Sequence, residues 1–168
     1  MTESTRAAVL VPVCMVDDDP HVVFIRRSHD APVHGGDMAF PGGRHDPKRD
    51  DSLLATALRE AEEEIGLAAA DVELMRALPE VRTLSSNFLI APFIGRIPHP
   101  YAFTLDAREV AAVTMIGIAQ LRAPTALQRI SRRLTSGFEV DADAFVVGPH
   151  VIWGATYRIA HELLRVLG

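Results

Sequence analysis

The chain of 168 residues carries 17 Lys+Arg against 22 Asp+Glu, a net charge of -5, with 48% hydrophobic residues. It is long enough for one domain with an apolar core, too short for two ordinary ones, and lacks the cationic excess of a protein that holds nucleic acid by its phosphates. Cys14 is the lone cysteine and lies between Val13 and Met15, which argues against a disulfide framework or a Cys-rich zinc site and fits a reducing compartment.

The start, MTESTR, lacks the basic opening and unbroken apolar stretch of a signal peptide. The longest apolar run, Ala7 to Val16, is broken by Pro12. A cytoplasmic protein with no membrane association is therefore expected. That run and Val22 to Arg27 read as two strands joined by a surface turn at DDDPH, 17 to 21. Residues 28 to 50 form a long connection holding four of the chain's eleven glycines, Gly35, Gly36, Gly42 and Gly43. A connection of that length in a compact domain is more often functional than idle. Asp50, Asp51 or Ser52 can cap the helix that follows, and Gly66 stands where it should end. Strands are expected at Val72 to Leu78, Phe88 to Ile94 and Val110 to Ile118, while Leu127 to Leu134 fits either a strand or a short helix. Val151 to Leu167 has helical spacing and reads as a second long helix. Strands around two helices without regular βαβ alternation predict a single domain over 1–168, of α/β (α+β) class, with a mixed β-sheet sandwiched between α-helices.

The charge is unevenly placed. Residues 50 to 66 hold Asp50, Asp51, Glu60, Glu62, Glu63 and Glu64 against Arg59, so this segment carries the whole -5. On a helical wheel with Glu60 at zero, Leu54, Ala57, Leu58, Ala61 and Ile65 fall between about 60° and 160°, a stripe wide enough to bury. Glu63 and Glu64 flank Glu60 at i+3 and i+4, so the three carboxylates share a face, while Glu62 points elsewhere. Like charges at a helix C-terminus, where the macrodipole disfavours anions, call for a compensating cation. Clustered carboxylate oxygens suit a hard divalent ion, Mg2+ or Mn2+, better than zinc. Arg59 can hydrogen-bond one carboxylate and hold it in place. A solvated acidic face is the plainer account of such a run. The preceding glycine-rich loop, whose N–H groups could approach phosphate oxygens, favours a phosphate-bond hydrolase instead.

Residues 59 to 67, REAEEEIGL, resemble the second half of the Nudix box, Arg-Glu-apolar-x-Glu-Glu-x-Gly-apolar, at every fixed place. Phe40-Pro41-Gly42-Gly43, Asp46, residues 56 to 60 (TALRE), and the upstream Arg27-Ser28 and Gly36 resemble the coenzyme A pyrophosphatase branch of that superfamily. So does the tail segment Ile152-Trp153-Gly154-Ala155-Thr156. The resemblance spans roughly residues 8 to 166. It departs in four places. His45 and Asp51 stand where the first half of the box has Gly and an acid. The loop before Arg59 is one residue longer than usual, so Asp50 is an alternative match for that acid. Pro32 replaces a second signature Arg, and Asp37 replaces a Gln. The last two bear on coenzyme A preference and leave the metal chemistry untouched.

The resemblance implies a Nudix fold and hydrolysis of a nucleoside diphosphate linked to another moiety, with divalent cations activating water and neutralising the phosphate that leaves. It implies that Glu60, Glu63 and Glu64 bind Mg2+ or Mn2+, that Arg59 orients them, and that Gly42 and Gly43 let the backbone approach metal or phosphate. Glu109 stands where such enzymes often carry a further acid, as ligand or base. Arg27, Arg44 and His34 are candidates for contacting substrate, and Arg82 is a weaker one; Trp153 on the closing helix is expected to pack. Arg129, Arg132 and Arg133 lack interleaved aromatics and read as a solvated face. Coenzyme A or an acyl-CoA is the expected substrate, giving adenosine 3',5'-bisphosphate and 4'-phosphopantetheine or its acyl form. The alternatives are ADP-ribose or another nucleoside diphosphate derivative and, in another class, a non-catalytic nucleotide-sensing module. The partner is thus a small nucleotide. Dimers are common in the superfamily, and the apolar strands could supply a homodimer interface.

Overall fold

A computed structural model describes residues 3–30, 35–84, 86–134 and 136–168. The first strand, β1 (Thr5–Val16), is apolar along nearly its whole length because both faces of it are covered. It turns through Asp17 and Asp18, both at positive φ (50° and 66°), into β2 (Asp19–Arg27). The connecting turn is therefore two residues, tighter than the DDDPH segment suggested, as a primed hairpin turn allows. The long connection contains two short strands, β3 (Met38–Ala39) and β4 (Gly42–Arg44). After α1 (Leu53–Ile65) come β5 (Glu73–Ala77), β6 (Val81–Arg82), β7 (Phe88–Arg96) and β8 (Val110–Gly117).

These eight strands form one mixed sheet. Its path runs β3-β2-β1-β7-β5, with β1 and β7 parallel and the other pairings antiparallel. β1 changes partner along one side: Val13 to Val16 pair with β2, and Ala7 to Val9 pair with β4. That fork lays the two glycines of β4 beside α1. Alternate residues of β1 then serve two cores. Leu10 and Cys14 pack with Ala57, Ala61 and Ile65 of α1, and Val11 and Val13 pack with Ile159, Leu163 and Leu164 of the last helix. The sheet is thus sandwiched between helices, as expected.

The C-terminal third holds more strand than periodicity suggested. Ile118 leaves β8 to open a short helix, α2 (Ile118–Arg122). Leu127–Arg133 is a strand, β9, which resolves the earlier ambiguity, and it pairs with β10 (Glu139–Val147). β10 carries a legible signal, alternation of Val140, Ala142 and Ala144 with Glu139, Asp141 and Asp143. Val151 and Ile152, expected to be helical, belong to β11 (His150–Ile152), paired with Val146 and Phe145. The last helix, α3, is Gly154–Val166, and it starts later because Trp153 is extended and Gly154 turns the chain at φ 64°. Among the described residues no helix is long and apolar enough to cross a membrane.

Candidate active site

Helix α1 is defined at both ends by the residues that sequence reading singled out. Ser52 is the N-cap, its hydroxyl accepting from the Ala55 N–H at 3.0 Å, and Gly66 closes the helix in the left-handed region at φ 67°. Asp50 and Asp51 do other things. Asp51 is exposed, whereas the Asp50 side chain is 1% exposed and receives Arg59 in bidentate fashion, Nε to Oδ1 at 2.7 Å and Nη2 to Oδ2 at 2.9 Å. Asp50, and not Asp51, is therefore the acid that answers Arg59. The guanidinium holds the Asp50 carboxyl far below its usual range, with the Thr56 hydroxyl adding a bond to Oδ2 at 2.8 Å.

His45 extends this network. Its Nδ1 lies 2.7 Å from the Thr56 hydroxyl, which already donates to Asp50, so Nδ1 is the donor. Fixed from behind, Arg59 reaches forward with Nη1 to Glu60 Oε1 and Glu63 Oε2, both at 3.2 Å. Sequence reading named Arg59 as an orienting residue and missed Thr56 and His45 as its supports. In the sequence Thr56 stands only as part of the TALRE segment and His45 only as a departure from the box, and their contact requires the 45–56 loop to fold back.

The three helix carboxylates share a side but not an environment. Glu63 is exposed at 46% and pairs with Arg49 at 2.7 Å. Glu60 is partly buried against β4, where a Cβ on Gly43 would lie 2.6 Å from its carboxylate carbon. Glu64 is buried at 3%, and its Oε1 accepts the Gly42 N–H at 2.8 Å. Burial dominates in raising the Glu64 pKa to about 8, and the nearby charges of Glu60 and Glu109 push the same way. Glu60 is also raised, first by burial. The two glycines have distinct reasons. Any side chain at Gly42 would meet the Ala8 carbonyl at 2.3 Å, whereas one at Gly43 would displace Glu60.

Glu109 reaches this site from another loop. The carbonyls of Ile65 and Glu64 at the end of α1 accept from the N–H groups of Thr104 and Asp106, at 3.0 and 2.9 Å. The Glu109 carbonyl accepts from Ser28 N–H at 2.9 Å, pinning the loop between α1 and the end of β2. At that end the pairing of β2 with β8 shifts register between Arg26 and Arg27. The bulge aims Arg27 into a cleft of about 620 Å³ that Arg44, Glu60, Glu63, Glu64 and Glu109 also line. His34 and Pro32 lie outside the described residues.

Other residues stand differently from expectation. Trp153 lines the cleft instead of being buried, and Arg132 stacks over its ring at 6.0 Å. Arg129 and Arg133 do form a solvated face, paired with Asp143 at 3.1 Å and Glu139 at 3.8 Å. Arg82 turns to Ser4. Arg108 and Asp37, not singled out as contacts, also line the cleft.

Among the described residues no three His, Cys, Asp or Glu side chains already converge as a finished metal cage. The donor set nonetheless fits a hard cation. Glu60 and Glu64 present oxygen ligands, both are desolvated, and Gly43 leaves room for the Glu60 carboxylate against the backbone. Desolvated carboxylates crowded at one end of an arginine-lined cleft, on a mixed sheet between helices, define a hydrolase of phosphoric anhydrides. Residues 4–136 match the model of the NUDIX domain, and the chain belongs to that family. It is a Nudix diphosphohydrolase, a class that generally needs divalent metal ions.

Two relatives are each named "Uncharacterized Nudix hydrolase NudL". The one from Photorhabdus laumondii is 33% identical over 95% of this chain and 83% of its own length. The one from Yersinia enterocolitica is 40% identical over 66% of this chain, and the match spans 55% of that protein, about half its length. A MutT/nudix family protein from Enterococcus faecalis superposes with a TM-score of 0.64 at 16% identity, covering 99% of this chain and 63% of its own; it shares the fold.

Proposed function

We propose that the protein hydrolyses the diphosphate of coenzyme A or its acyl thioesters, giving adenosine 3',5'-bisphosphate and 4'-phosphopantetheine or its acyl form. The observation that carries the chemistry is the convergence of buried Glu64, half-buried Glu60 and Glu109 at one end of an arginine-lined cleft. The coenzyme A assignment rests on the Arg27-Ser28, Gly36 and Phe40-Pro41-Gly42-Gly43 signature.

Glu60, Glu63 and Glu64 would hold Mg2+ or Mn2+. Such a cation, when bound, lowers the pKa of a coordinated water and screens charge on the departing phosphate. The chain's own groups supply position. The Gly42 N–H fixes one oxygen of Glu64 and leaves its partner oxygen to the cleft. Asp50 holds Arg59, and Arg59 holds Glu60 and Glu63. Arg27 at the end of β2 and Arg44 at the end of β4 would present positive charge to the diphosphate. Glu109 completes the ring of carboxylates, as a further ligand or as acceptor of the attacking water's proton.

A second reading, hydrolysis of ADP-ribose or another nucleoside diphosphate derivative, is favoured by Asp37, which lines the cleft where the coenzyme A branch has a neutral Gln. The purified protein with Mn2+ is offered coenzyme A, ADP-ribose, NADH and diadenosine polyphosphates. The proposal expects the highest kcat/KM for coenzyme A or an acyl-CoA; a clear preference for any of the other three overturns it. Absence of turnover on every diphosphate, with nucleotide binding retained, would support the sensing module instead.

A further inference from the structure

The cleft has two unlike ends. Away from the carboxylates it is lined by Leu84, Phe88, Ile90, Leu134, Trp153 and Ile159. This arm is an uncovered extension of the core. Phe88 and Ile90 lie opposite Thr5 and Ala7 of β1 and stand on the same face of β7 as Ile94, which packs beneath α3. Past Ile94 the cleft opens between this face and the start of α3, with Trp153 just before the helix and Ile159 within it among its walls.

Three polar side chains of the arm, Thr83, Ser86 and Arg158, are engaged with the protein. The Thr83 hydroxyl accepts from the Phe88 N–H at 2.8 Å and from the Ser86 hydroxyl at 2.9 Å, and Arg158 donates to the Arg82 carbonyl at 2.5 Å. Arg132, stacked on Trp153, holds that ring in place. A nucleobase or sugar would have to compete with the protein for these three groups, whereas an apolar group would not. Leu84 stands at the rim, 79% exposed, where an apolar occupant of the arm would touch it.

We infer that this arm receives an apolar group carried by the diphosphate substrate, and that Leu84, Leu134 and Trp153 set a preference for long apolar substituents over short or polar ones. The inference rests on the carboxylate end being the diphosphate site, with which the arm is continuous, and it holds whether or not that substrate is coenzyme A.

The test uses P1-adenosyl P2-alkyl diphosphates bearing methyl, butyl or octyl groups, with Mn2+, beside coenzyme A itself. Each buried methylene is worth about fourfold, so kcat/KM should rise at least ~10-fold from methyl to octyl. In Leu84→Asn and Trp153→Ala the octyl-to-methyl ratio should fall below about threefold, on the same area argument. Leu84 is too exposed for its replacement to threaten folding. If no ester is cleaved, the same length dependence is read from binding, as quenching of Trp153 fluorescence in the wild type and in Leu84→Asn. A flat response to chain length, equal loss on methyl and octyl esters in the variants, or a preference that follows the base in the matching guanosine series overturns the inference. Failure to cleave coenzyme A with the alkyl dependence intact overturns only the coenzyme A reading.

Discussion

Asp50→Ala should destabilise the protein far more than Asp51→Ala, although the two acids are neighbours in a charged run. Asp50 accepts from Arg59 Nε and Nη2, from the Thr56 hydroxyl and, at 3.4 Å, from the Asp46 N–H, with its side chain 1% exposed. Breaking a buried ion pair by removing one partner costs about 3–5 kcal/mol. The lower end applies, because Arg59 keeps Glu60 and Glu63 at 3.2 Å. For a domain of this size about 3 kcal/mol lowers Tm by roughly 6–12 °C, while the exposed Asp51 should stay within about 0.5 kcal/mol. Urea unfolding followed by Trp153 fluorescence, with thermal scans, gives both numbers. A double-mutant cycle with Arg59→Met should show coupling of at least ~1 kcal/mol. The Asp50 pKa is depressed on folding, so its stabilisation is fully present above about pH 4, its unfolded value, and is lost as pH falls through the folded value below that. The difference between wild type and Asp50→Ala should thus be flat from about pH 5 to 8 and shrink only in acid. A loss under about 1 kcal/mol, additivity with Arg59→Met, or an Asp51 variant equally harmed would refute the assignment of Asp50 as the anchor.

Glu64 has the opposite linkage. Its folded pKa is raised to about 8, so the cation-free protein loses stability as pH rises from about 4 to that value, and Glu64→Gln should melt higher than wild type at pH 8 in EDTA. The same variant should lose at least ~100-fold in kcat/KM and should no longer gain Tm on addition of Mg2+ or Mn2+; an unchanged metal-induced Tm shift would show that Glu64 is not a ligand. Glu63→Gln should raise the metal concentration needed for half-maximal rate and lower kcat/KM by about 10–100-fold; unchanged turnover at saturating metal would remove Glu63 from the ligand set. Gly42→Ala should be strongly destabilising because its Cβ strikes the β1 backbone, whereas Gly43→Ala should keep Tm within a few degrees and lose at least ~10-fold in rate by moving Glu60. Equal Tm losses for the two glycine variants would contradict the separate reasons given for them.

Local chemistry in the sequence determined much of this protein. Ser52, the apolar stripe at Ala57, Ala61 and Ile65, and Gly66 specify α1, because capping and helical periodicity act within a few residues. That Glu60, Glu63 and Glu64 share one face follows from their spacing on that helix, whereas the need for glycine at 42 and 43 comes from the approach of Ala8 and Glu60, which only the fold supplies. Tertiary structure decided what depends on contacts between distant segments. Asp50 and Asp51 look equivalent in the chain, and only the fold, by bringing Thr56, His45 and Arg59 around one of them, makes it the buried partner. The three glutamates look alike too, yet β4 desolvates Glu64 and leaves Glu63 in water, because the side on which β1 exchanges β2 for β4 is not written in helical spacing. Trp153 passes for core on periodicity, and becomes a cleft wall because Val151 and Ile152 are drawn into pairing with β10 and delay the helix. The local net charge of the segment is a property of sequence; which of its carboxylates lack water, and so would gain from a cation, is a property of packing.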